Sequence, residues 1–416
     1  MTYGLIGEHL GHSFSKLIHE QLFDYNYDLQ ELTPSAVDAF MKAKNFRAIN
    51  VTIPYKETII PYLDEISDTA RLVGAVNTVV NREGRLYGYN TDFGGMIAML
   101  ENADISLADK NVLILGNGGT AKTALAVATH LGCAAVHRVS RRGGDGCLTY
   151  AEAATYNNTQ IIINTTPCGM YPHLGESAID LSPFPHLEGV VDAIYNPLRS
   201  HLLCEAAARG IPTVGGLYML VAQAVLAAEL FVNKTVGREQ MQRLLASIVS
   251  QKQNIVLIGM PGCGKSTVGA LLSKRLGRRL IDTDTLIVER EGRSIPTIFE
   301  QSGEAAFRAA EAAVIRETAA EQGVIIAVGG GAVLRDDNVS LLKENGRLYF
   351  LDRPLEDLIP TDDRPLSSNR DALTKRYHER YGRYCDCCDC HITETSSPER
   401  TAGCIEEEFF GESTGN

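Results

Sequence analysis

The chain has no basic excess: 39 lysines and arginines stand against 51 aspartates and glutamates, a formal net charge of −12. Nothing is therefore available to displace the counterions of a nucleic acid or to hold an anionic membrane, and neither is expected as a partner. Local Arg and Lys clusters still suit small anionic substrates. The chain also lacks a clean membrane-length apolar run. Val214 to Val232 comes nearest but carries Gln223 and Glu229 inside it, which suits a buried helix with a polar edge. No charged-then-apolar leader precedes Glu8 and His9, so a cytoplasmic chain with reduced thiols is expected. Among its ten cysteines, Cys385, Cys387, Cys388 and Cys390 cluster before His391. They lack the two-residue gap and the distant partner pair of a structural zinc site. Small buried side chains at a helix-to-strand junction are the expectation there.

What is present is ordinary globular composition, 416 residues with 44% hydrophobic and 22% charged, long enough for two to four domains. The most informative stretch is Asn254 to Leu272. Four apolar residues, Ile255 to Ile258, run into Gly259-x-x-x-x-Gly264-Lys265-Ser266 and then a helix. That is a P-loop: backbone N–H groups surround phosphate oxygens and the helix aims its positive end at them. Gly259, Gly262, Gly264, Lys265, Ser266 and Thr267 form the expected cradle, with Lys265 on the β- and γ-phosphates and Ser266 on Mg²⁺. Some 250 residues precede it, so a separate unit is expected upstream.

That upstream unit alternates strands and helices. Tyr3 to Ile6 reads as a strand, and Ser13 and Ser15 precede the apolar-periodic run of Leu17, Ile18, Leu22 and Phe23; alone, Ser15 reads as a helix N-cap. Strand Ala48 to Ile53 places Asn50, Thr52 and Lys56 at its carboxyl end, where ligands sit in open α/β sheets. A hairpin is expected over Val76 to Tyr87 with Arg82-Glu83-Gly84 at the turn, and Asp92 is placed to cap the following helix.

A second nucleotide signature starts at strand Val112 to Leu115. It feeds Gly116-x-Gly118-Gly119-x-Ala121, a helix and another strand, a dinucleotide-binding βαβ unit. Where NAD readers place a carboxylate this chain has Ser140-Arg141-Arg142. Guanidinium groups pair with a 2′-phosphate that a carboxylate repels, so NADP is the expected cofactor. Strands Gln160 to Asn164 and Gly189 to Ile194 continue the parallel sheet, the helices near Leu217 to Phe231 and Met241 to Val249 close the unit, and Ser250 to Gln253 reads as a short polar linker.

Taken together, these ordered motifs resemble shikimate dehydrogenase over residues 1 to about 249 and shikimate kinase from about 253 to 416. The resemblance implies an α/β chain with a substrate-binding domain over 1–100, closed by helices in 217–249, a Rossmann-type NADP domain over 101–216, and a P-loop kinase domain with a five-stranded parallel sheet over 254–416. It implies that Ser13 and Ser15 bind the substrate carboxylate, that Thr52, Asn77 and Gln223 contact ring hydroxyls, and that Lys56 and Asp92 form the catalytic pair. Ser140 and Arg141 match the NADP site, with serine where the family commonly has asparagine, and Met219 matches the segment lining the nicotinamide pocket. In the kinase half, Asp282 would lie near Mg²⁺ with Ser266, and Asp284 on the hydroxyl to be phosphorylated. Arg308 and Arg380 would clamp the carboxylate, Gly330 and Gly331 would admit the ring, and Arg364 would meet the transferring phosphoryl group. Against that resemblance, the segment between Asp352 and Arg364 looks shorter than in most relatives. Two other readings fit the same motifs: a sensor that kept two pockets and lost its chemistry, and a quinate-type dehydrogenase fused to a small-molecule kinase.

Overall fold

Three β-sheets, held in two compact units, make up the computed structural model, which describes residues 1–10, 14–358 and 370–411. The first unit comprises Met1–Cys168, Ser177–Tyr195 and Glu205–Leu245, and the second Gly169–Glu176, Asn196–Cys204 and Ala246 onward.

The first sheet runs in the order β2-β1-β3-β5-β6-β4. Its strands are β1 (Tyr3–Gly7), β2 (Tyr27–Glu31), β3 (Ala48–Val51), β4 (Glu65–Ile66), β5 (Thr78–Arg82) and β6 (Arg85–Tyr89). It is mixed, because β5 and β6 form an antiparallel hairpin and β5 pairs antiparallel with β3. Glu83 and Gly84 both take positive φ, 54° and 84°, the conformation a two-residue hairpin turn requires. The strand expected to reach Ile53 stops at Val51. Thr52 N still donates to Ile6 O, but Tyr55 N then turns back onto Thr52 O, ending the ladder. Helices α1 (Ser15–Leu22), α2 (Pro34–Ala43), α3 (Asp68–Val73) and α4 (Thr91–Asn102) accompany this sheet.

The second sheet, in the order β12-β11-β10-β7-β8-β9, is wholly parallel. It contains β7 (Asn111–Leu115), β8 (Ala135–Val139), β9 (Cys147–Leu148), β10 (Ile161–Asn164), β11 (Gly189–Asp192) and β12 (Thr213–Val214), with α5 (Gly119–His130), α6 (Tyr150–Ala153) and α7 (His201–Ala208) among its connections. Its central strands are continuous apolar runs, as burial on both faces demands. Helix α8 (Gly216–Val232) then returns to pack Ala227 and Phe231 against Tyr3, Tyr27 and Val80 of the first sheet. Its Gln223 and Glu229 sit on the helix edges, and no helix among the described residues is long and apolar enough to cross a membrane.

The third sheet is a five-stranded parallel one in the order β14-β15-β13-β16-β17, the arrangement expected for this half. It is built from β13 (Asn254–Ile258), β14 (Leu280–Asp282), β15 (Ile325–Ala327), β16 (Gly346–Leu351) and β17 (Cys390–Ile392). Around it run α10 (Lys265–Leu276), α11 (Thr283–Glu291), α12 (Ile295–Ala319), α13 (Asp336–Asn345), α14 (Arg370–Cys387) and α15 (Pro398–Gly411). The core packs Ile255, Leu257, Ile326, Leu348, Phe350 and Ile405, all at 1% exposure or less; each such side chain contributes about 1.5–3 kcal/mol by leaving water.

The expected linker is largely helix: α9 (Arg238–Lys252) continues through Ser250 and Gln251, and Gln253 N still donates to Val249 O at 2.8 Å. Gln and Lys are good helix formers, and buried Leu244 and Ile248 anchor the same helix. Only Gln253 separates it from β13.

Candidate active sites

In the first unit, Lys56 Nζ donates to Asp92 Oδ2 at 2.6 Å, and both side chains are half-buried, with 28% and 17% of their surface exposed. The backbone fixes this pairing. Val76 N donates to Lys56 O, tying the lysine to the segment before β5, while Asp92 sits in the first turn of α4. Asp92 does not cap that helix as expected; Asn90 does, its Oδ1 accepting from Phe93 N at 3.1 Å, which leaves the Asp92 carboxylate for the lysine. Asn77 stands beside the pair: Thr91 N donates to Asn77 Oδ1 at 2.8 Å, and Asn77 Nδ2 to Thr91 Oγ1 at 3.0 Å. Close approach of α4 and α8 adds Gln223 and Met219. A Cβ on Gly95 would stand 3.0 Å from Gln223 Cβ and from Met219 O, so glycine is what lets the helices meet. Thr52 is half-buried just after β3. Ser13 lies outside the described residues.

Ser15 is the first residue of α1 and not its N-cap; Phe14 holds that position without a side-chain bond. The serine hydroxyl instead engages the Tyr27 phenol. Here the structure reveals a buried relay that spacing along the chain did not signal. Tyr27 Oη donates to Asn50 Oδ1 at 2.7 Å, and Asn50 Nδ2 donates to Thr78 Oγ1 at 3.0 Å and to Asn77 O at 3.3 Å. The relay joins Ser15 to Asn77 through groups that are nearly all dry, where a satisfied network is rigid.

His19 backs this relay, fully buried and stacked on Tyr27 with ring centroids 4.1 Å apart. Burial pushes its imidazole down to about 3. In the unfolded chain it titrates near 6.5. As pH falls below that value the unfolded state takes up a proton that the folded state refuses, so stability drops by about 1.4 kcal/mol per unit until pH approaches 3. Urea unfolding between pH 6 and 4 should therefore show a flatter pH dependence in His19→Leu than in the unaltered protein. Parallel curves would show that His19 does not set the slope.

The dinucleotide loop has the geometry its glycines demand. Gly116 takes φ 116° and a Cβ there would lie 2.5 Å from Thr165 Oγ1; Gly118 is the N-cap of α5, which starts at Gly119, and Ala121 is fully buried behind them. Just past the end of the neighbouring strand, β8, a cavity of about 550 Å³ is lined by Ser140, Arg141 and Arg142.

The second unit gathers its groups at the carboxyl ends of β13, β14 and β15. Gly259, Gly262 and Gly264 take φ of 143°, 80° and 98°, and a Cβ on Gly259 would press 2.9 Å from Leu351 O. Lys265, 7% exposed, donates to Gly259 O at 2.9 Å and Met260 O at 3.0 Å. Thr267 is exposed in the first turn of α10. Ser266 Oγ donates to Asp282 Oδ2 at 2.6 Å, and Asp282 Oδ1 caps α11 through Asp284 N and Thr285 N. A hydroxyl and a carboxylate in contact beside a phosphate loop are the hard oxygen donors that Mg²⁺ takes. Among the described residues no group of three His, Cys, Asp or Glu is arranged to hold a metal ion.

Beyond the P-loop, charged side chains crowd against Gly329–Gly331. A Cβ on Gly329 would lie 2.6 Å from Asp284 Oδ1 and 2.8 Å from Glu311 Oε1; one on Gly330 would strike Pro261 of the P-loop, and one on Gly331 would strike the Arg308 guanidinium at 2.3 Å. Arg308 is no surface helix residue: it donates to buried Glu311 at 2.7 Å and to Glu304 at 3.2 Å. Gly303, with φ 80°, breaks α12 and starts the segment carrying these groups. Arg380, 4% exposed, donates Nη1 to Gly330 O at 3.0 Å, and Tyr384 Oη donates to the same oxygen. Burial raises the Glu311 carboxyl above its usual range and lowers the Arg380 guanidinium. Glu311 Oε1 and Arg380 Nη2 are buried without partners, polar atoms whose cost a bound polar ligand would relieve. Glu311 is the main residue here that reading the sequence missed, although it stands three positions after Arg308, on the same helix face. Arg364 lies outside the described residues.

Comparison with known proteins places this geometry. Residues 5–79 match the shikimate dehydrogenase substrate binding domain. A shikimate dehydrogenase (NADP(+)) of Clostridium perfringens is 37% identical over 248 residues, covering 55% of this chain and 91% of that protein. The chain belongs to the shikimate dehydrogenase family. The dehydrogenase half also superposes on the chorismate mutase/shikimate 5-dehydrogenase fusion protein of Clostridium acetobutylicum, with a TM-score of 0.56 and 33% identity over 59% of this chain and 96% of that one. The shikimate 5-dehydrogenase of Thermus thermophilus, solved with NADP(H) and shikimate, gives a TM-score of 0.54 at 27% identity, over 59% of this chain and 99% of that one. Residues 261–409 match the shikimate kinase family. The dehydrogenase is thus one part of a bifunctional shikimate-pathway enzyme that also carries a kinase domain.

Proposed function

We propose that the chain reduces 3-dehydroshikimate to shikimate with NADPH at Lys56 and Asp92, and then phosphorylates the shikimate 3-hydroxyl with ATP and Mg²⁺ at Asp284. The division proposed is 1–100 for the substrate domain, closed by helices in 217–249, 101–216 for the cofactor domain and 254–416 for the kinase. The observation that carries the reading is that each unit holds its own convergent charge cluster. One is Lys56 paired to Asp92 at 2.6 Å. The other is Asp284, Glu311, Arg308 and Arg380 around Gly329–Gly331, against the P-loop. The product of the first reaction is the substrate of the second.

When bound, NADPH supplies the hydride, and ATP with Mg²⁺ supplies the phosphoryl group and its charge neutralisation. Lys56 gives a proton to the ketone oxygen and stabilises the developing alkoxide; Asp92 holds the ammonium in place. Asn77, Thr52 and Gln223 orient the ring hydroxyls, and Ser13 and Ser15 its carboxylate. Arg141 pairs with the 2′-phosphate, and Met219 flanks the nicotinamide. In the kinase domain Arg308 and Arg380 grip the shikimate carboxylate, Gly330 and Gly331 admit the ring, and Asp284 accepts the 3-hydroxyl proton. Lys265 and Arg364 meet the phosphoryl oxygens, while Ser266 and Asp282 hold the metal.

Incubating the purified chain with 3-dehydroshikimate and NADPH, then adding Mg-ATP, is expected to consume NADPH and afterwards convert shikimate to shikimate 3-phosphate, read by absorbance and mass spectrometry. NADPH loss without the phosphate ester would reject the kinase assignment. Activity with quinate in place of shikimate would move the substrate, and silence in both steps would favour a two-pocket sensor.

A further inference from the structure

Arg138 ties the glycine loop to the strap that carries Arg141 and Arg142. It lies on β8, one residue before that strand ends. Its Nη1 donates to Asn117 Oδ1, inside the glycine loop, at 2.6 Å, and its Nη2 donates to the carbonyl of Asp145 at 3.1 Å. One planar guanidinium thus joins the glycine loop to the segment that follows Ser140, Arg141 and Arg142, the residues that line a cavity there.

The strap needs such a tie. Gly143, Gly144, Asp145 and Gly146 take φ of 64°, 77°, 51° and 75° in succession, a left-handed turn closed by Cys147 N on Gly144 O at 2.8 Å. Three glycines permit that path, yet glycines also leave the strap many others. Arg141 and Arg142 are exposed and make no ion pair among the described residues, and Arg141 is within electrostatic reach of the Tyr150 phenol. The backbone holds the ends of the strap, through Ser140 N on Leu148 O at 2.8 Å and the pairing of β8 with β9, and Arg138 adds a side-chain hold on its middle, at the carbonyl of Asp145.

We infer that Arg138 is a positioning residue for cofactor selection: by clamping Asn117 to Asp145 it sets the strap so that Arg141 and Arg142 face a 2′-phosphate. This rests on the NADP reading above. A rigid fork suits the task, because a guanidinium donates to two acceptors at fixed geometry and an ammonium does not.

The test compares binding of 2′,5′-ADP and 5′-AMP to the full-length protein by calorimetry, together with NADPH kinetics. Arg138→Met should weaken 2′,5′-ADP about tenfold and raise the NADPH KM by a similar factor, with 5′-AMP affinity, the melting midpoint and kcat at saturating NADPH little changed. Arg138→Lys keeps the charge and should remain several-fold weak; full recovery would mean that charge alone matters and would overturn the positioning role. Asn117→Ala keeps every charge, should weaken 2′,5′-ADP in the same direction, and should add little to Arg138→Met, as partners in one contact do. Equal loss of both nucleotides, or no loss, overturns the proposal. If the unaltered protein itself fails to prefer 2′,5′-ADP over 5′-AMP, the NADP reading falls and takes this one with it.

Discussion

Replacing Lys56 by alanine is expected to lower dehydrogenase turnover by about three powers of ten, the scale of losing a proton donor that is also an oxyanion partner. Shikimate affinity should change by less than about tenfold, because an interaction that strengthens as the alkoxide develops acts on the transition state more than on the bound ring. The ion pair complicates the variant: Asp92 loses its partner at 2.6 Å while only 17% of its side chain is exposed, and a half-buried unpaired carboxylate repels the alkoxide as well. Asp92→Asn separates the two effects, since it leaves the lysine in place. Kinase turnover of the same preparation reports whether the chain folded. Turnover within a factor of ten of the unaltered protein, with kinase activity intact, would remove Lys56 from the chemistry.

Both nucleotide loops were legible in the sequence because their determinants are local. Strand, glycines and helix follow one another within 20 residues, and each glycine answers a constraint set by its immediate surroundings: the positive φ at Gly116 and Gly259, the missing side chain where Thr165 or Leu351 crowds in. The central strands of the five-stranded sheet, β13, β15 and β16, were legible for the same reason, since buried strands are written as apolar runs, whereas β14 and β17 at its edges are short and only partly buried.

What escaped the sequence depends on contacts between distant segments. Tyr27, Asn50, Thr78 and Thr91 lie in separate elements, and no spacing announces that their polar atoms meet in one buried line behind Ser15 and Asn77. From spacing alone Ser15 and Asp92 both read as helix caps, and only the resemblance gave them other roles; each hydroxyl or carboxylate has a tertiary partner that local propensity cannot see. Glu311 was missed although its helical spacing from Arg308 was visible, because the feature that singles it out is burial. Ser250 to Lys252 show the opposite failure: a polar stretch looked like a linker, but polarity does not stop a helix whose apolar face is already anchored by Leu244 and Ile248.

Asp284→Asn is expected to cut kinase turnover about a hundred- to a thousandfold, the range for loss of a general base in an otherwise intact site. The amide keeps the size of the carboxylate, so shikimate should still enter beside Gly329 and between Arg308 and Arg380, and its KM should stay within about threefold. The substitution also relieves a crowding of charge. Asp284 and Glu311 both approach the same glycine, and the Asp284 carboxylate adds to the burial that raises the Glu311 carboxyl. With an amide at 284 that repulsion is gone, so Glu311 should hold Arg308 at least as firmly and the carboxylate clamp should survive. Dehydrogenase turnover should be unchanged. Steady-state kinetics of both reactions on one preparation decide the matter: a kinase rate within tenfold of the unaltered protein would leave the hydroxyl proton to another acceptor, and Glu311, buried beside the same glycine, would be the group to replace next.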